Sequence, residues 1–222
     1  FLPDEIAVYD ELLYVVGSGE NVVMPATEMR FDAEEDKHEE VEKPIDGKKL
    51  FLLCYSLENR TQPVLKRWFC TEGELSQKEV FDNTLCISVR QNAAELEKDG
   101  VYKTPSYSDL NKTVDMRFDE IKYLPSMKDG CYTSVFRFDL ADITKEADCD
   151  TFLGIGEDIV LGQNYVQFAD VNSIMSDSGK NKITQTDIYR LNLNSSALSK
   201  GNIKAEYLDM SRVNDGCAVL AK

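Results

Sequence analysis

The sequence predicts an all-β protein: an antiparallel barrel or sandwich of about 8–10 strands with one or two short helices, with a small β-propeller as the alternative. Three observations carry this prediction. Short runs of β-branched and aromatic residues recur along the whole chain. Turn-forming residues separate them. Helical periodicity is scarce. The 222 residues read as a single all-β domain, 1–222, with an acidic loop at 32–47.

The clearest strand is the segment 131–140, CYTSVFRFDL. Tyr132, Phe136, Phe138 and Leu140 share one parity, while Thr133, Arg137 and Asp139 share the other, the pattern of a half-buried strand. The segment 113–123 places Val114, Met116 and Phe118 on one face. Its apolar parity then moves to Ile121 and Tyr123, which predicts a bulge near 119–120. The sequence PSMKDG at 125–130 follows as a turn, so 113–123 and 131–140 are expected to pair as a hairpin. Ten further segments read as strands: 6–16, 21–24, 49–55, 64–70, 84–90, 158–161, 165–169, 183–193, 203–208 and 217–220. A short helix is expected at 91–99, stopped by Gly100, and another turn or two at 141–147.

A weak internal echo favours the propeller. Val64–Trp68, Val135–Leu140 and Ile188–Leu193 each carry an apolar pair followed by a basic residue, as VLKRW, VFRFDL and IYRLNL. The alternative therefore predicts that the strands at Trp68, Phe136 and Tyr189 are related by rotation. Propeller repeats run at roughly 40–50 residues, so the irregular spacings of 71 and 53 weaken the echo.

Composition narrows the function. The chain has 25 Lys+Arg against 40 Asp+Glu, a formal net charge of −15. Such a body is repelled by nucleic acid and by anionic membranes, and no apolar run approaches the ~20 residues of a membrane span. At 42% hydrophobic residues it is not a disordered acidic tail. A third of the net charge lies in 32–43, DAEEDKHEEVEK, which also holds the single histidine, His38. Glu34, Glu35, Glu39 and Glu40 are the candidate surface for a basic protein partner.

The six cysteines, Cys54, Cys70, Cys86, Cys131, Cys149 and Cys217, are scattered, with no close pair of the kind zinc sites use. An even, scattered set predicts three disulfides in an oxidising compartment, with Cys131–Cys149 the most local pair. The sequons at Asn59, Asn111 and Asn194 fit the same expectation of a secreted glycoprotein, and no signal peptide lies within this chain.

Catalysis is tested by elimination. One histidine inside an acidic run leaves little for a Ser-His-Asp or Cys-His arrangement. No GxSxG and no phosphate-binding loop occurs, and Gly154-Ile155-Gly156 reads as a turn. The acidic sets at 148–158 and 170–177 lack EF-hand spacing. No enzyme, metal site or cofactor is therefore expected. The aromatic residues are the more informative class. Tyr55, Trp68, Phe118, Tyr132, Phe136, Phe138, Tyr165 and Phe168 are the candidates to line a cavity for a small hydrophobic or amphipathic ligand. Three functions follow: a secreted carrier of such a ligand in a β-barrel, a secreted interaction module using the acidic loop, and a small propeller or lectin-like scaffold.

Overall fold

A computed structural model of the protein describes residues 1–31, 36–98, 100–110, 112–123, 130–155, 159–175, 182–203, 207–213 and 216–221. Among these residues the chain is all-β, with one 3₁₀ turn at Ala93–Leu96. The first four strands are β1 (Leu2–Tyr9), β2 (Leu12–Phe31), β3 (Asp36–Ser56) and β4 (Val64–Thr71). Next come β5 (Glu74–Phe81) and β6 (Thr84–Asn92). Five short strands follow: β7 (Glu97–Lys98), β8 (Val101–Tyr102), β9 (Ser106–Asp109), β10 (Lys112–Asp115) and β11 (Lys122–Tyr123). After them run β12 (Cys131–Asp139), β13 (Asp148–Leu153), β14 (Ile159–Gly162), β15 (Tyr165–Met175), β16 (Lys182–Asn192) and β17 (Leu198–Ile203). A final hairpin is β18 (Tyr207–Val213) with β19 (Gly216–Ala221).

Pairing sorts these strands into three four-stranded antiparallel units: β1-β2-β3-β4, β5-β6-β12-β13 and β14-β15-β16-β17. The hairpin β9–β10 extends the first sheet beyond β4, and β11 adds to β13 in parallel. The described sheets are separate and do not close into one barrel. Repeated four-stranded antiparallel sheets are the blades of a propeller, the arrangement named above as the alternative.

Two compact units emerge. The first comprises Phe1–Glu74, Pro105–Met116 and Leu140–Glu146. Its β1–β2 turn is made by Asp10, at φ 50°, a left-handed conformation that Asp tolerates. The β2–β3 ladder runs from Leu12↔Ser56 to Phe31↔Asp36, with a bulge at Glu20/Val22. Asn21 (φ 51°) and Gly47 (φ 74°) sit at this irregularity, and the Gly47 amide donates to Asn21 Oδ1 at 3.0 Å. The bend brings Met24 and Ile45 into one cluster with Val15, Phe51, Leu53, Trp68 and Cys70. Trp68 Nε1 donates to the Pro25 carbonyl at 2.6 Å, fixing the ribbon against β4. The buried guanidinium of Arg67 donates to both Asp109 carboxylate oxygens, at 3.0 and 2.7 Å, and to the Ile143 carbonyl at 3.2 Å. Tyr14 donates its hydroxyl to the Leu140 carbonyl at 2.9 Å.

The second unit comprises Leu75–Thr104, Arg117–Asp139 and Ala147–Lys222. Its core joins residues of two sheets: Cys86, Val135 and Phe152 with Ile159, Leu161, Val166, Phe168, Tyr189 and Leu191. Each such large side chain contributes about 1.5–3 kcal/mol on burial. Phe168 stacks on Tyr189 with centroids 5.4 Å apart. Arg137 bonds Asp150 on β13 and donates to Asn194 Oδ1 beyond β16. In the Gly162↔Tyr165 pair the tyrosine ring lies over the glycine, where an added Cβ would come within about 2.2 Å of it.

Several expectations are corrected. The segment 131–140 is a strand, but it is buried on both faces: Thr133, Ser134, Val135 and Phe136 are all enclosed. It is a central strand, and Ser134 satisfies its hydroxyl on Thr151 at 2.9 Å. Its partners are β6 and β13, not 113–123. That earlier segment stops at a turn, where Glu120 N donates to Arg117 O, so the expected bulge is a chain reversal. The helix expected at 91–99 is only the 3₁₀ turn. Asn92 caps it through Ala94 N, and Glu97 returns to extended backbone. The segment 141–147 is a turn, with Asp142 Oδ1 accepting from the Thr144 amide and hydroxyl. The acidic loop at 32–47 is β3 strand from Asp36 onward, and 32–35 lies outside the described residues.

The disulfide framework is also corrected. Cys54, Cys70, Cys86, Cys131 and Cys149 form no disulfide, and the side chain of Cys217 lies outside the described set. The register explains why Cys131 and Cys149 do not join. Tyr132 lies opposite Leu153 while Cys149 lies opposite Phe136. The two thiols are thus about five residues apart along the ladder, roughly 17 Å at ~3.4 Å per residue. A disulfide needs Cα atoms within ~7 Å. Cys54 and Cys70 sit three rungs apart, opposite Arg67 and Phe51. The inference from disulfides to an oxidising compartment therefore loses its premise.

Candidate functional site

The first unit carries a groove of about 210 Å³. Its floor is laid by β4 and β9, which supply Cys70, Thr71, Ser106, Tyr107 and Ser108. Its walls come from the bent ribbon, through Lys43, Pro44, Ile45, Asp46 and Lys49, and from Thr113 of β10. The bulge that folds the ribbon over Trp68 is what brings residues 43–46 to β9 and β10.

Polar side chains organise the groove. Lys43 Nζ donates to Thr113 Oγ1 at 3.5 Å, and Thr113 shares a 3.0 Å hydrogen bond with Ser108. Thr71 donates to the Ser106 carbonyl at 3.0 Å, tying β4 to β9. Lys49 pairs with Glu72. Burial pushes the Cys70 thiol up; nearby Lys49, a hydrogen bond with Ser108 and the more distant Lys43 oppose this. Burial outweighs these, and the thiol stays protonated in the lining of the groove.

The aromatic candidates do not converge on this groove. Trp68 is buried in the core of the first unit, with Tyr55 half-buried against it. Phe118 is 65% exposed. Tyr132 is buried, as are Phe136 and Phe138, whose rings lie 6.4 Å apart. Tyr165 is buried beneath the Arg190 guanidinium, 3.6 Å from its ring centroid, and Phe168 is core. The enclosed ones, Trp68, Tyr132, Phe136, Phe138, Tyr165 and Phe168, pack within the sheets, and none of the eight lines this groove. Tyr107, which does line the groove and contacts Phe69, went unremarked in the sequence. The signal available was the Ser106/Ser108 alternation, too polar to read as a strand.

Of the acidic candidates, Glu39 and Glu40 lie on β3 at the register positions of Glu28 and Thr27. Glu34 and Glu35 lie outside the described residues. Of the sequon residues, Asn59 and Asn194 are exposed in turns, and Asn111 lies outside the described residues. Asn59 Oδ1 accepts from the Thr61 amide and hydroxyl. Among the described residues no cluster of His, Cys, Asp and Glu could hold a metal ion, and no helix is long and apolar enough to cross a membrane.

Comparison with known proteins agrees with the sheet architecture. A search of curated proteins finds no match, and a search of solved structures finds none. The Beta propeller domain family matches residues 1–207. That match spans all three four-stranded sheets, and the chain belongs to the beta propeller domain family.

Proposed function

We propose that the protein is a propeller scaffold that binds a partner protein, with the tip of the β2–β3 ribbon as the arm that engages a basic surface. One observation carries this reading. Beyond Pro25 and Glu42 the two strands continue as a ladder that, among the described residues, pairs only with itself, from Ala26↔Val41 to Phe31↔Asp36. That is roughly 17 Å of two-stranded ribbon, at ~3.4 Å per residue. An isolated two-stranded ribbon is marginal in water. This one also sets Glu28 opposite Glu39 and Arg30 opposite Lys37, like-charged pairs that destabilise a ladder. A ribbon so furnished gains from a partner that neutralises it. The segment 32–43 concentrates seven carboxylates there, enough to steer a cationic partner at long range.

The test uses oligolysine as the probe, titrated against the full chain at low and moderate salt. Glu34→Gln, Glu35→Gln, Glu39→Gln and Glu40→Gln together should weaken binding at least tenfold. Neutralising four carboxylates elsewhere, Asp4, Glu5, Glu11 and Glu58, should change it less than threefold. Binding should fall steeply with salt. Equal losses in the two variants would assign the attraction to net charge and remove the ribbon from the function.

A further inference from the structure

We propose that the groove between the bent ribbon and β9–β10 binds a small tetrahedral oxyanion, either free phosphate or a small phosphomonoester. The site is separate from the acidic tip, and its test stands independently of that reading.

Size sets the first limit. A volume of about 210 Å³ exceeds what a single ion needs and falls below the ~300–1,000 Å³ of drug-sized pockets. It suits a guest of a few to about ten heavy atoms. Charge sets the second. In a chain of net charge −15, an anion is held only where cations are gathered locally. Here Lys43 and Lys49 reach the groove from the same strand and both act on the Cys70 thiol at its floor. Each ammonium has three N–H donors. Lys43 spends one on Thr113 and Lys49 one on Glu72, so both keep donors to turn toward a guest.

Two carboxylates lie near the groove: Glu72 pairs with Lys49 and offsets its charge, whereas Asp46 is exposed to solvent, where its charge is screened. Lys43, with no ion pair seen among the described residues, is the cation left to a guest. Lys43, Thr113, Ser108 and Cys70 form a connected chain of polar contacts, which fixes the Lys43 head relative to the floor. Charge-assisted bonds from ammonium groups to an oxyanion are stronger than neutral ones. Tyr107 supplies an aromatic wall against which the carbon part of an ester could pack.

The experiment titrates inorganic phosphate, and in a second arm glycerol phosphate, into ¹⁵N-labelled protein at fixed ionic strength, with chloride as control. The proposal predicts saturable shifts at the amides of 106–110 and 112–113. It also predicts at least threefold slower alkylation of Cys70 in the saturated protein. Lys43→Gln with Lys49→Gln should weaken binding at least tenfold, with Trp68 fluorescence confirming the fold. Lys43→Gln alone, which breaks no ion pair seen among the described residues, serves if the double variant unfolds. Tighter binding of glycerol phosphate assigns the site to an ester, and the reverse assigns it to the free anion. Shifts reproduced by chloride, or binding unchanged in the folded lysine variants, would overturn the proposal.

Discussion

Removing the Asp109 carboxylate should unlock the first unit. Asp109 and Arg67 expose only 3% and 4% of their side chains and meet through two hydrogen bonds of 3.0 and 2.7 Å. Asp109→Ala would leave the guanidinium buried without this carboxylate, its bond to the Ile143 carbonyl remaining. Charge-assisted bonds contribute about 1.5–3 kcal/mol each, and breaking a buried pair from one side costs about 3–5 kcal/mol. We take about 4 kcal/mol. With an m-value near 2 kcal/mol/M, the urea midpoint should fall by about 2 M. The assay is built in: Trp68, the only tryptophan, adjoins Arg67 in the same unit and reports on that unit's unfolding. Replacing both partners together, Arg67→Met with Asp109→Leu, should recover most of the loss, because no orphaned charge remains. A midpoint shift under 0.5 M for Asp109→Ala, or a double variant no better than the single one, would refute the reasoning.

Four shorter predictions follow. Alkylation of the unfolded chain without reductant should label at least the five described thiols, and reductant should leave the melting temperature unchanged; a large fall in melting temperature would restore a disulfide. Burial raises the Cys86 thiol to about 11, so its contribution is whole below pH 9 and is lost as pH rises from about 9 to 11; Cys86→Ala should flatten that alkaline limb of the stability profile. Phe168→Ala, which deletes a fully buried ring stacked on Tyr189, should cost about 3–5 kcal/mol by urea unfolding. Gly17→Ala would place a Cβ about 2.3 Å from the Leu2 carbonyl oxygen, so β1 must shift, and hydrogen exchange at Leu2–Tyr9 should accelerate.

Most strands were legible because their side chains are β-branched or aromatic, as in β4, β6, β12 and β16. The strands that escaped are polar. β5 reads ELSQKEVF and β9 reads SYSD, and neither offers an apolar alternation. β13, DCDTFL, opens on two aspartates, one of which pairs with Lys122 and Arg137. Backbone pairing with a neighbour stabilises such strands, and a single sequence does not show which neighbour. The acidic run misled for the same reason. Charge argued for a solvated loop, yet from Asp36 onward the run is extended backbone paired with β2. The candidate groove was the least legible feature, since it depends on a bend at Asn21 and Gly47 that joins residues more than 60 positions apart.

The echo in the sequence holds the reason for the architecture. Val135–Leu140 and Ile188–Leu193 fall on β12 and β16, each the third strand of its four-stranded unit, whereas Trp68 falls on a fourth strand. Only two of the three segments are therefore equivalent. In the shared core of the second unit, β12 presents Val135 while β16 presents Tyr189 and Leu191. Those are opposite parities of one motif: Val135 corresponds to Ile188, and Phe136 to Tyr189. Two sheets that face one another must use opposite faces of equivalent strands. A third strand that repeats along a row of sheets therefore needs an apolar residue of each parity, which is what the adjacent pairs Val135-Phe136 and Ile188-Tyr189 supply. A barrel or a two-sheet sandwich asks for apolar residues on one face only. Neighbouring apolar residues in a strand that otherwise alternates thus argue for stacked sheets, and the motif distinguishes a propeller from a barrel where the count of strands does not.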